Sequence, residues 1–164
     1  QSILVLKAHE LYRQGKTMDE VAAWLEENKS RSQAFFTVDD LTYLRRGGRI
    51  SAVAATVGTM LDLKPIITEG RNGKLLSTDK VRGRKQALRT LAELAAQNID
   101  DPAEAEMYVL HADAPEDADR LAQLLREKIP GLGNISTRYV GPVIGAHCGP
   151  GTVAVCFFGK ERPY

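Results

Sequence analysis

Eleven residues close to the end of the chain constrain it most: Gly141-Pro142-Val143-Ile144-Gly145-Ala146-His147-Cys148-Gly149-Pro150-Gly151. Four glycines and two prolines in that run exclude a long regular helix and a central strand. The β-prone residues 152–158 follow directly and read as a buried strand. The expectation is a shaped loop that holds one imidazole, His147, at the edge of a sheet. Glycines allow close backbone approach and leave N–H groups free to face an anion. A tight connection with an incidental histidine is the plainer alternative.

The order of elements sets the fold class. Residues 3–14 read as a helix that is apolar around much of its circumference, and such a helix needs cover on several sides. Thr17-Met18-Asp19-Glu20 is a capping box opening a second helix, with Trp24 as a core anchor. Residues 33–38 read as a strand carrying Phe35 and Phe36. Asp39 caps a short helix over 40–45, and Ser51 opens a helix over 52–61. Strands are expected at 64–69 and 74–78 around an Asn72-Gly73 turn, with Pro65 at the start or edge of its strand. A long helix over 81–97 follows. Then come a strand at 105–111, a helix opened by Asp113-Ala114-Pro115-Glu116, a strand at 135–140, and the last strand. The fold expected is α+β, with a mixed or antiparallel sheet flanked by helices.

Length and composition narrow the function classes. At 164 residues with 43% hydrophobic and 26% charged content, the chain is an ordinary globular domain. No apolar run is long enough to cross a bilayer, and no signal peptide is visible, so a cytoplasmic location is the default. Cys148 and Cys156 read as free thiols. The net charge of +1 hides an asymmetry: residues 45–89 hold eleven Lys/Arg and three Asp/Glu, whereas 93–127 hold ten Asp/Glu and two Arg. The first of these could meet an anion or an acidic partner.

Three constellations could carry chemistry. Arg45-Arg46-Gly47-Gly48-Arg49-Ile50-Ser51 places a Gly-Gly turn and Arg49 before an expected helix N-terminus, a plausible anion cradle, although the phosphate-loop spacing is absent. His147 can donate to a carboxylate or act as a base, and Cys148 beside it is more simply packing. Lys80-Val81-Arg82-Gly83-Arg84-Lys85 puts cations at the expected head of the long helix, which invites an anionic partner. The helix over 52–61 carries Ala52, Ala55 and Met60 among small apolar residues, suited to close helix–sheet packing or to a ligand channel. His9, His111 and His147 are too scattered for a metal site, and no motif or aromatic interleaving supports nucleic-acid binding. No cofactor is expected.

Taken in order, Phe36-Thr37-Val38-Asp39-Asp40-Leu41-Thr42-Tyr43-Leu44-Arg45-Arg46-Gly47-Gly48-Arg49-Ile50-Ser51, then Leu61-Asp62-Leu63-Lys64-Pro65-Ile66-Ile67 with Gly73-Lys74-Leu75 and Lys80-Val81-Arg82, then the glycine-rich run, closely resemble the DegV family of bacterial fatty-acid-binding proteins. The likeness covers nearly the whole chain. It implies a non-catalytic protein that holds a long-chain fatty acid in an apolar tunnel between two domains. That protein presents the carboxylate to a fatty acid kinase, and the acyl phosphate feeds phospholipid synthesis. Family chains begin with an α/β domain that this sequence lacks. Residues 1–30 therefore read as a helical remnant or linker, and 31–164 as the C-terminal lipid-binding domain, with self-association possible through the helix at 3–11. The resemblance places Arg49 and His147 near the carboxylate, with Gly145, Ala146 and Cys148 in the same loop. Ala52, Ala55 and Met60 line the tunnel, and Lys80, Arg82 and Arg84 lie on the partner side. Family members usually have Thr where this chain has Cys148. Two rivals stand beside this reading: a hydrolase or acyltransferase using His147, and a lipid-free interaction domain docking through its basic half.

Overall fold

In the computed structural model, residues 2–49 and 62–164 are described. The expected helix over 52–61, and with it Ala52, Ala55 and Met60, lies outside the described residues.

The chain forms α1 (Ser2–Arg13), α2 (Met18–Asn28), a short 3-10 turn (Lys29–Arg31), β1 (Ser32–Thr37), α3 (Thr42–Arg46), β2 (Leu63–Glu69), β3 (Leu75–Arg82), α4 (Arg84–Asn98), β4 (Glu106–His111), α5 (Pro115–Lys128), β5 (Asn134–Tyr139), α6 (Pro142–Cys148) and β6 (Val153–Phe158). The six strands make one mixed sheet in the order β3-β2-β1-β6-β4-β5. Every neighbouring pair is antiparallel except β4 and β5, whose parallel pairing runs through α5 as the crossover.

Strand alternation divides the core between the two faces of the sheet. Phe35, Ile66, Met107, Val109, Val153, Val155 and Phe157 form a continuous cluster with Ala87, Leu88, Leu91, Ala92 and Ala95 of α4 and Leu121, Leu124 and Leu125 of α5. A smaller cluster on Val38, Leu44, Ile67 and Cys148 ties α3 and α6 to the rest of the fold, with Phe36, Leu41 and Leu75 against it. Trp24 is half-buried rather than a core anchor: its ring stacks on Phe158 at 5.6 Å between centroids.

The capping box is present as expected. Thr17 Oγ1 accepts from Glu20 N at 3.3 Å, and Thr17 N donates to Glu20 Oε2 at 2.8 Å. Thr17→Ala should cost about 1 kcal/mol, read as a lowered midpoint in urea with the m-value unchanged.

Four local expectations are corrected. Asp40, not Asp39, serves the start of α3: its Oδ1 accepts from Thr42 N at 2.8 Å, and that hydrogen bond holds the carboxyl below its ordinary range. Asp39 instead pairs with Lys64 Nζ at 2.5 Å. The second strand of the hairpin runs on to Arg82 past a bulge opposite Ile66 and Ile67, so Val81 and Arg82 are strand residues and the long helix starts at Arg84. Polar Asp79 and Lys80 are tolerated there because β3 is an edge strand with a wet side. The glycine-rich run is not a loop throughout, since residues 142–148 form the seven-residue helix α6. Pro142 occupies its first turn, where a missing N–H costs nothing, and Gly149 ends it at φ 80°. Pro65 does sit near the start of β2, beyond the part of β2 that pairs with β1.

Candidate functional site

The cleft that gathers the candidate residues opens where α3, α6 and the β2–β3 hairpin meet. It has a volume of about 640 Å3, and its walls include Arg49, His147, Lys74, Leu75, Val143 and Ile144. Cys148, Leu44 and Leu76 also reach it.

Two glycine–ring contacts seat α3 against α6. A Cβ on Gly47 would collide with His147 Nδ1, and a Cβ on Gly149 would collide with the ring of Tyr43. Each helix end thus presents a bare backbone to an aromatic or imidazole ring from the other. Gly48 follows at φ 71°, and the N–H of Arg49 returns to the carbonyl of Leu44 at 2.8 Å, which closes α3 and turns the chain toward the cleft. The Arg49 guanidinium is exposed and donates to the Gly47 carbonyl at 2.5 Å. No ion pair to Arg49 occurs among the described residues.

His147 is half-buried in the last turn of α6. The end of that helix is firmly held. Thr152 Oγ1 lies 2.8 Å from the Gly149 carbonyl and 3.1 Å from that of Cys148, while Gly151 N donates to the Ala112 carbonyl at 2.7 Å. The glycine N–H groups expected to be free are therefore spent within the protein: Gly145 N bonds to Gly141 O, Gly149 N to Gly145 O, and Gly151 N to Ala112 O. Arg49, His147 and Lys74 are the donor side chains that line the cleft. Gly145 and Ala146 do not line it among the described residues; Ala146 is exposed, and Gly145 faces the Val140 side chain.

Cys148 is buried, and burial pushes its thiol pKa up; Cys156 on β6 is pushed up to about 11 for the same reason. Both are neutral thiols at pH 7, a poor state for a nucleophile. His111 is buried away from the cleft, with Nδ1 accepting from Ala114 N at 3.3 Å and its ring against Tyr139. Among the described residues no group of three His, Cys, Asp or Glu side chains could hold a metal ion, and no helix is long and apolar enough to cross a membrane.

The basic cluster divides. Lys80 and Arg82 lie exposed on edge strand β3, and Lys85 is exposed in the first turn of α4. Arg84 turns inward: Nε donates to Asp117 Oδ2 at 2.8 Å and a terminal nitrogen to the Gly151 carbonyl at 2.5 Å. Its charge is engaged inside the fold and is not offered to a partner.

Sequence reasoning passed over Lys74, Leu44, Leu75, Leu76, Val143 and Ile144. Of these, Val143 and Ile144 stand out in the structure as exposed aliphatics, 70% and 54% exposed.

Residues 1–160 match the model of the DegV family, described as uncharacterised proteins. A DegV domain-containing protein of Clostridium perfringens is 42% identical over 162 residues, covering 99% of this chain and 55% of its own length. The solved fatty-acid-binding DegV family protein of Streptococcus agalactiae superposes with a TM-score of 0.82 at 29% identity, covering 96% of this chain and 55% of that one. DegV of Bacillus subtilis, a fatty-acid-binding protein, superposes at 0.76 with 34% identity, covering 97% of this chain and 56% of that one. The chain thus spans about half the length of the relatives it matches. Sequence match, mixed sheet and shared architecture together assign the chain to the DegV family.

Proposed function

We propose that this chain forms one wall of a site for a long-chain fatty acid. In this reading the carboxylate is held by Arg49 and His147, and the acyl chain runs along Leu44, Leu75, Leu76, Val143 and Ile144. The observation that carries it is the cleft itself: the donors Arg49, His147 and Lys74 stand beside the wholly or partly exposed Leu75, Leu76, Val143 and Ile144. A carboxylate taken from water needs hydrogen bonds or a cation, whereas each buried CH2 of the chain contributes about 0.8 kcal/mol and needs only shape. Residues 31–164 carry this site and 1–30 lead into it. The family resemblance adds Ala52, Ala55 and Met60 to the apolar residues of this reading.

The role is non-catalytic. The acid is presented to a fatty acid kinase, for which Lys80 and Arg82 form the docking edge. Two neutral thiols and glycine N–H groups spent within the fold support binding over acyl transfer.

The test is a titration with oleate and with methyl oleate. The ester keeps the chain and removes the charge, so it should bind at least about tenfold more weakly, since a hydrogen bond to a charged group is worth about 1.5–3 kcal/mol. Equal affinities would show that Arg49 and His147 do not read the headgroup.

A further inference from the structure

We propose that Arg84 is a positioning residue for His147, tying the head of α4 to the turn that ends α6. Its side chain is largely buried, with 19% of its surface exposed. One nitrogen bonds the Gly151 carbonyl at 2.5 Å, Nε bonds Asp117 on α5 at 2.8 Å, and the remaining terminal nitrogen is buried without a partner. A buried cation with an unused donor is costly, and helix stability does not call for it, because a cation at a helix N-terminus opposes the dipole.

What the contact holds is the backbone after α6. Gly151 is fixed from both sides, its N–H by Ala112 and its carbonyl by Arg84. Gly151 also lies so close to Asp39 that a Cβ there would meet the aspartate side chain at 2.6 Å. Thr152, the next residue, bonds the carbonyls of Cys148 and Gly149. Releasing the Gly151 carbonyl would therefore let the end of α6 shift, and His147 with it.

The same arginine adjoins the β3 edge in the chain. It follows Gly83, whose N–H donates to the Asp62 carbonyl at 2.9 Å, and Arg82, the exposed end of β3. The β3 edge joins Arg84 through the backbone, and from Arg84 the contacts run to Gly151 and, through Thr152, to the end of α6. The consequence for lipid binding rests on the function proposed above; the tether itself does not.

The experiment records the His147 ring signals by NMR in the lipid-free protein for wild type, Arg84→Ala, Arg84→Lys and Asp117→Asn, then titrates each with oleate. Arg84→Ala should move the His147 signals while those of His9, on α1, stay in place. Arg84→Lys, which keeps one donor, should move them less, and Asp117→Asn should be intermediate. Oleate affinity should fall about three- to thirtyfold in Arg84→Ala, with partial rescue by lysine. If Arg84→Ala does not fold, the lysine and Asp117→Asn proteins are read in its place. Unmoved His147 signals in a folded variant, even one of lowered Tm or weakened oleate affinity, overturn the proposal. Moved signals in a protein whose wild type binds no oleate leave the tether standing and remove the lipid reading instead.

Discussion

Gly149→Ala should destabilise the protein by about 3 kcal/mol, through two independent costs. Gly149 sits at φ 80°, ψ 171°, a region essentially reserved for glycine, and a side chain held there costs about 1–3 kcal/mol. The new methyl would also drive into the Tyr43 ring, and overpacking of that kind costs about 1–3 kcal/mol. For a chain of this size the midpoint of thermal unfolding should fall by roughly 6–12 °C. Gly131→Ala serves as the control. Gly131 has φ 74° with nothing within 4 Å of an added Cβ, so it bears only the backbone cost, about 1–2 kcal/mol. Thermal melts of both variants decide the matter. Equal losses would mean that the Tyr43–Gly149 contact does not fasten α3 to α6.

His147→Ala should weaken oleate binding by about one to two decades. The alanine leaves a carboxylate without one of its donors, a loss of about 1.5–3 kcal/mol. His147→Gln should recover part of the loss, because an amide N–H still donates. Preference among chain lengths should not change, since Leu75, Leu76, Val143 and Ile144 are untouched. The ring also packs on Gly47, so a thermal melt must show each variant folded. Wild-type affinity in a folded His147→Ala protein would make the histidine a packing residue for α3.

These two residues show where the sequence was legible. The β1 strand, the capping box and the last strand follow from local patterns: Phe35 inside, Thr17 bonded to Glu20, Val153 and Val155 buried. The helix α6 was misread because its glycines and prolines were counted rather than placed. Pro142 in the first turn and Gly149 just past the end are where a short helix accepts them. Arg49 and His147 could be singled out as chemistry-bearing types, but their place in one cleft depends on Gly47 admitting the His147 ring and Gly149 that of Tyr43, a tertiary fact. Leu75 and Leu76 join the cleft because the sheet order sets the hairpin at one edge beside α6. Arg84 carried no local signal of its inward turn, since Asp117 and Gly151 lie 33 and 67 residues away in the chain.

A second cavity, of about 600 Å3, gives the account its sharpest test. It lies between α1 and the start of β4, lined by Ile3, Leu6, Phe158 and Tyr108 together with the acids Asp101, Glu104 and Glu106. It too has apolar walls, but its cations Lys7 and Arg31 are paired with Glu10 and Asp100, and the remaining acids disfavour a carboxylate. Isotope-edited NMR of bound oleate, reading contacts from the C2 methylene and from the terminal methyl, distinguishes the two. The account predicts contacts from C2 to the side chains of Arg49 and His147, and from the chain to Leu75, Leu76, Val143 or Ile144. Contacts from oleate to Ile3, Leu6 and Phe158, with none to His147, would contradict it.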